Sequence, residues 1–245
     1  MESTCHSYCF TGFDAAVVID VETTGLDPQN DRVVSVAALK TDFRTLVSSG
    51  EINASTLASR INPGCPIPAK ASAVHGIYDA DVQDEPAFSE IAGELREFIG
   101  DCRIIGHNVQ FDKRFLSAEF KRAGVKALGR TKSHCTMQRM KEHLGHLGKG
   151  FRKVNLETAA SHFGINGRRS TSHDALEDAQ LALQVAAAFY ALDNGKSPWP
   201  TPRRDGAPSQ SASLPPEGSH IPGWVIVSAV AAVLAVALVL AIIGQ

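Results

Sequence analysis

Uninterrupted apolar runs alternate with turn residues in the first half of the chain. Residues 15–21, 33–40 and 43–52 read as strands, and Pro28, Gln29, Asn30 and Asp31 supply the first turn. The three predict an antiparallel meander. Pro63, Pro66 and Pro68 mark a loop. The period then changes. Phe88, Ile91, Leu95, Phe98 and Ile99 recur at helical spacing and predict a helix over 86–99. A short strand follows at 103–106, then helices at 109–123, 133–144, 155–163 and 174–192. Asp174 and Glu177 fit a capping box on the last helix. Strands first and strand–helix alternation afterwards predict an α/β fold, a mixed central sheet flanked by helices.

The pattern breaks at Asn194. Residues 194–222 contain 7 Pro, 5 Ser and 3 Gly with no apolar period, which predicts a linker, partly extended by proline. Its r.m.s. reach is roughly 30 Å if flexible. Residues 224–243 then carry no charge and are mostly Val, Ala, Leu and Ile. A helix of that length spans ~30 Å, the thickness of a bilayer's hydrocarbon core. The expected organisation of the 245 residues is an extension at 1–13, a catalytic domain at 14–193, a linker at 194–222 and a transmembrane helix at 223–243. Lys196, Arg203 and Arg204 precede that helix and no charged side chain follows it, so a single-pass anchor with the domain on the cytoplasmic side is expected. The first ten residues have no basic region or long apolar stretch and do not read as a secretory signal.

Composition adds little until it is divided. The net charge is −2. Residues 1–112 hold 7 Lys/Arg against 17 Asp/Glu, whereas residues 113–169 hold 14 against 3. Such asymmetry predicts a polyanion-binding face. Its densest part is Arg139, Lys141, Lys149, Arg152 and Lys153, followed by Arg168 and Arg169. Lys121, Arg122 and Lys126 read as a solvated helix face. Five cysteines, scattered and odd in number, fit free thiols in a reducing compartment. Cys5, His6 and Cys9 make an incomplete zinc-ligand set and read as incidental.

The candidate chemistry begins at the end of the first strand. Asp20 and Glu22 are one residue apart and therefore share a face, with Val21 turned to the core. Two carboxylates held together at a strand end repel each other and attract hard cations. Further candidates are Asp112 in Gly-His-Asn-Val-Gln-Phe-Asp (106–112), and His173 and Asp178 in His-Asp-Ala-Leu-Glu-Asp-Ala (173–179). Five helical residues turn through about 500°, so His173 and Asp178 share a site only if His173 lies before the helix. A histidine in that position is expected to be mobile and to order on substrate.

Asp-x-Glu, His-Asn-x-x-Phe-Asp and His-x-Ala-x-x-Asp, in that order, resemble the three motifs of the DEDDh-type 3′–5′ exonucleases, the family that includes the proofreading epsilon subunits of bacterial DNA polymerase III. The resemblance extends over about residues 14–192. It includes Glu-Thr-Thr-Gly-Leu-Asp-Pro (22–28), Ala-Val-His-Gly-Ile (73–77) and Asn-Leu-x-x-x-Ala-x-x-Phe-Gly-Ile (155–165). It implies a ribonuclease-H-like fold and two divalent cations, Mg²⁺ or Mn²⁺. Asp20, Glu22, Asp112 and Asp178 would be the metal ligands, with Asp20 bridging, and His173 would be the general base. Thr23, Gly25, His75, His107 and Asn108 would meet the terminal nucleotide; from their clustered charge, Lys149, Arg152, Lys153, Arg168 and Arg169 are expected on the phosphates. Ser35 stands where many relatives carry an acid, at a position that is not a ligand.

The implied substrate is single-stranded nucleic acid with a free 3′ end. DNA is expected, with an exoribonuclease similar to ribonuclease T or oligoribonuclease as one alternative and a non-catalytic binding module at a membrane as the other. A polymerase partner is compatible with the resemblance, but a proline-rich tail with an anchor does not indicate one.

Overall fold

The computed structural model describes residues 9–129, 131–148 and 154–196. A five-stranded sheet forms its centre, built from β1 (Ala15–Thr23), β2 (Val33–Asp42), β3 (Ser55–Arg60), β4 (Arg103–Gly106) and β5 (Ser133–Cys135). The strand order is β3-β2-β1-β4-β5. The pairs β1–β2 and β2–β3 are antiparallel, and β1–β4 and β4–β5 parallel. The sheet is therefore mixed, as expected.

Both faces of the sheet are covered, which is why β1 reads as a continuous apolar run. Val17, Ile19 and Val21 pack with residues of α4 (Phe88–Ile99) and α5 (Gln110–Arg122). Ala16 and Val18 pack on the opposite face with α8 (Ala175–Asp193). Alanines 179, 182, 186 and 187 bring α8 close to the strands. Each large side chain buried this way contributes about 1.5–3 kcal/mol. Asp20 and Glu22 have the parity of Ala16 and Val18, so they emerge on the α8 side. Phe10, in the stretch expected to be an extension, is buried, and its backbone is tied to Asp193 and Asn194 at the end of α8. The packed domain thus takes in residue 10.

Two expected elements need correction, and two helices were not expected. Residues 43–52 are not a strand. Asp42 accepts a hydrogen bond from the Thr45 amide (2.9 Å) and caps α1 (Phe43–Ser49), and Gly50 ends that helix at φ 73°. Phe43 and Leu46 are the buried pair, a spacing that suits one helical turn. The third strand comes later, as β3. The helix expected from residue 133 starts at Thr136 (α6, Thr136–His146), because Ser133–Cys135 pair with β4. After the proline loop, α2 (Ala69–His75) and α3 (Asp79–Val82) were not expected. The helix α7 (Leu156–His162) lies where it was predicted.

The expected linker from residue 197 onward, and the expected membrane span, lie outside the described residues. Among the described residues no helix is long and apolar enough to cross a membrane.

Candidate active site

Three segments meet at the carboxyl end of β1. The strand itself delivers Asp20 and Glu22. Its neighbour β4 ends at Gly106, where a Cβ would lie 3.0 Å from the Ile19 carbonyl oxygen, so the chain passes tightly beside β1 there. Asn108 then turns the backbone at φ 76° and starts α5, which carries Asp112 in its first turn. The Val21 amide donates to Asp112 Oδ1 (3.2 Å), between the two acids of β1.

The third segment enters α8. Asp174, with extended backbone, caps the helix by accepting from the Glu177 amide (2.9 Å). His173 precedes that cap and Asp178 follows it, which resolves the five-residue spacing. The His173 amide donates to the Val74 carbonyl (2.9 Å), and its Nδ1 lies 3.2 Å from Asp178 Oδ2. Glu22, His173 and Asp178 present ligand atoms all within 4.8 Å of one another. The expected capping box is half made, since the Glu177 carboxylate accepts from the Arg169 amide.

The site has too little positive charge. Glu22, Asp112 and Asp178 are 7 %, 3 % and 3 % exposed. Burial, then the charges of Asp112, Glu22 and Asp178, pushes Asp20 well above the usual carboxylate range. Burial does the same to Asp112 and pushes Glu22 up to about 7. At Asp178 burial acts upward too, but hydrogen bonds from His173 and Arg168 hold it below its ordinary value. The bond to Asp178 in turn raises His173. Asp20, Glu22 and Asp112, each pushed toward the neutral form, make with the ionised Asp178 a hard-oxygen donor set, and divalent cations held by the four would favour their charged forms.

Arg168 has a role the sequence did not disclose. Expected on substrate phosphate, it lies on Asp178. Its Nε bonds Oδ1, its Nη2 lies 2.9 Å from Oδ2, and its Nη1 is 3.2 Å from Glu157. Arg139 is also not a surface contact. It pairs with Asp193, both nearly buried, and lies over Phe189.

The other expected substrate residues divide. His107 is spent inside the fold: Nδ1 meets Thr136 Oγ1 (2.9 Å), Nε2 meets the Val154 carbonyl (3.1 Å), and burial lowers it to about 4. Gly25 makes room for Asp31, whose carboxylate would lie 2.3 Å from an added Cβ. Thr23 donates to the Gly25 carbonyl (2.6 Å). His75 is buried and accepts a hydrogen bond from the Ile77 amide at Nδ1. Asn108 and Arg169 are exposed, Arg169 beside Glu177 (3.5 Å). Lys149, Arg152 and Lys153 lie outside the described residues. Leu26, Val74 and Tyr78, none of them an expected site residue, are large apolar residues left 81 %, 49 % and 58 % exposed next to the Thr23 and His75 segments.

The model of the family described as exonuclease matches residues 17–186, which include all five acid and histidine positions. The chain belongs to the exonuclease family. Relatives named DNA polymerase III subunit epsilon include one from Rickettsia felis, 32 % identical over 184 residues, covering 74 % of this chain and 74 % of its own length. Another, from Aquifex aeolicus, is 30 % identical over 169 residues, covering 69 % and 77 %. Among solved structures, E. coli exonuclease I in complex with a dA16 oligonucleotide superposes with a TM-score of 0.59 at 19 % identity. That match covers 73 % of this chain but 40 % of exonuclease I, and it speaks for the fold alone. This exonuclease is a metal-dependent 3′→5′ enzyme.

Proposed function

We propose that this exonuclease shortens single-stranded DNA from its 3′ end. The observation that carries the reading is the convergence of Asp20, Glu22, Asp112 and Asp178 with His173 on the α8 side of one strand end. DNA is favoured over RNA by the relatives' printed names.

Asp20, Glu22, Asp112 and Asp178 would hold two divalent cations, Mg²⁺ or Mn²⁺. When bound, these supply charge neutralisation for a phosphodiester under attack and help acidify the attacking water. The protein's own residues do the rest. His173 accepts a proton from that water; with Nδ1 on Asp178, Nε2 is the ring nitrogen for the task. Thr23, His75 and Asn108 border the terminal nucleotide. Exposed Leu26 and Tyr78 are suited to base contact, and Lys149, Arg152, Lys153 and Arg169 to phosphate contact.

The apolar run 224–243 supports a single-pass anchor, which would hold residues 14–193 near a cytoplasmic membrane face through the 194–222 linker. The names of the relatives support a polymerase as the competing partner.

The test pairs substrate with location. Equal-length 5′-labelled DNA and RNA single strands are offered with Mg²⁺ or Mn²⁺. A DNA ladder formed faster than the RNA ladder is expected, and the reverse order would make the enzyme an exoribonuclease. Full-length protein should stay with membranes through carbonate washing, whereas residues 1–222 should not. Carbonate-extractable full-length protein would remove the anchor.

A further inference from the structure

Away from the carboxylates, two histidines on different helices meet nitrogen to nitrogen. His143, in the last turn of α6, places Nε2 3.0 Å from Nε2 of His162, the last residue of α7. The rings cross at 80° with centroids 5.0 Å apart. Aromatic packing fixes both. His143 sits against Phe163 (6.1 Å) and Phe189 (5.9 Å), and His162 against the edge of Phe163 (5.1 Å).

One neutral imidazole can donate to another at that distance, and a transition metal can also be held there. Imidazole nitrogens sit about 2.0–2.1 Å from zinc, which places two of them roughly 3.3 Å apart on a tetrahedral ion. The rings therefore need to open by roughly 0.3 Å. Metal ligation requires unprotonated rings. Burial, followed by the charges of His162 and Arg139, favours the neutral form of His143. His146 lies three residues along α6, on the same side, and its charge also acts on His143.

We propose that His143 and His162 form a transition-metal site, separate from the carboxylate centre, that takes an imidazole-preferring ion such as Zn²⁺ or Ni²⁺ rather than Mg²⁺. The two helices flank residues 147–155 in the sequence, so a metal here would tie α6 to α7.

The test uses tag-free full-length protein in detergent with excess Mg²⁺, so that the carboxylate centre is supplied, and titrates Ni²⁺ by calorimetry. Loss of an outer partner of a metal-bound histidine costs about 10–100-fold in affinity, and loss of a ligand costs at least that. His143→Ala and His162→Ala should each weaken this Ni²⁺ site by about tenfold or more. Their exonuclease rate in Mg²⁺ should stay unchanged, which also certifies folding and separates this site from the catalytic one. His143→Asn and His162→Asn serve if the alanine variants do not fold. A Cu²⁺ electron paramagnetic resonance spectrum should show two nitrogen ligands in the wild type and fewer in either variant. Ni²⁺ affinity unaltered in both variants, or a Cu²⁺ spectrum unaltered by them, would overturn the proposal and leave a histidine–histidine hydrogen bond.

Discussion

Asp178 keeps its negative charge at 3 % exposure because Arg168 and His173 both donate to it. Arg168 is thus the resident countercharge of a carboxylate assigned to a cation. A unit charge at 4 Å is worth ~1 kcal/mol in bulk water and ~4 kcal/mol at an effective dielectric of 20. Arg168→Gln is therefore expected to tighten Mn²⁺ binding several-fold in the absence of DNA, read by paramagnetic resonance. Unchanged or weaker binding would make Arg168 a residue that only orients Asp178. Glu22 supplies a pH prediction. Its carboxyl group rises from 4.5 to about 7 on folding, so between those values the folded chain holds a proton that the unfolded chain has released. Stability of the metal-free protein should fall as pH rises through that window, by on the order of 3 kcal/mol from this group. Thermal melts in chelator should show that slope diminished in Glu22→Gln. The five acid and histidine residues were legible in sequence because each sits in a motif of fixed spacing. The destination of Arg168 was not, because sequence shows a basic pair before His173 but not the path that turns one guanidinium inward.

At the scale of elements, the register of one strand and the cap of one helix set the site. The parity of β1 places Asp20 and Glu22 toward α8, and the Asp174 cap lets His173 approach Asp178 from outside the helix. Asp174→Ala should cost about 1 kcal/mol of stability and lower kcat more than it raises KM, because it loosens the entry of α8 rather than a substrate contact. The parity of β1 and the entry of His173 could be read from periodicity and helix geometry. The 43–52 segment could not. Its apolar spacing is compatible with strand and helix alike, and the decision rests on Asp42 capping Thr45 and Gly50 closing the turn. The basic stretch was only partly legible for a similar reason, since composition does not tell an internal ion pair from a surface charge. Arg139→Ala would leave Asp193 buried without its partner and should cost about 3–5 kcal/mol, with KM for DNA unaltered in the folded fraction.

Across the whole molecule, acid gathers in the first half of the chain and base in the 113–169 stretch. Part of that base serves the fold: Arg139 on Asp193, Arg122 on Glu119 and on the Pro28 and Gln29 carbonyls, Lys113 on the Thr131 carbonyl. The basic residues left for the proposed polyanion contact are therefore fewer than composition implies, with Lys149, Arg152, Lys153 and Arg169 the candidates by sequence. Replacing Lys149, Arg152 and Lys153 together by alanine should reduce the slope of log affinity against log salt by about 2, at ~0.7 per single-strand phosphate contact, with kcat maintained. Metal-dependent removal of 3′ nucleotides is assigned to one acid–histidine cluster. The most direct test of that assignment is a 5′-labelled single strand incubated with full-length enzyme and Mg²⁺ or Mn²⁺, in parallel with Asp20→Ala. A ladder shortening from the 3′ end, lost with EDTA and with the substitution, is expected. Intact strands under every metal condition, or a ladder that survives Asp20→Ala, would contradict the assignment.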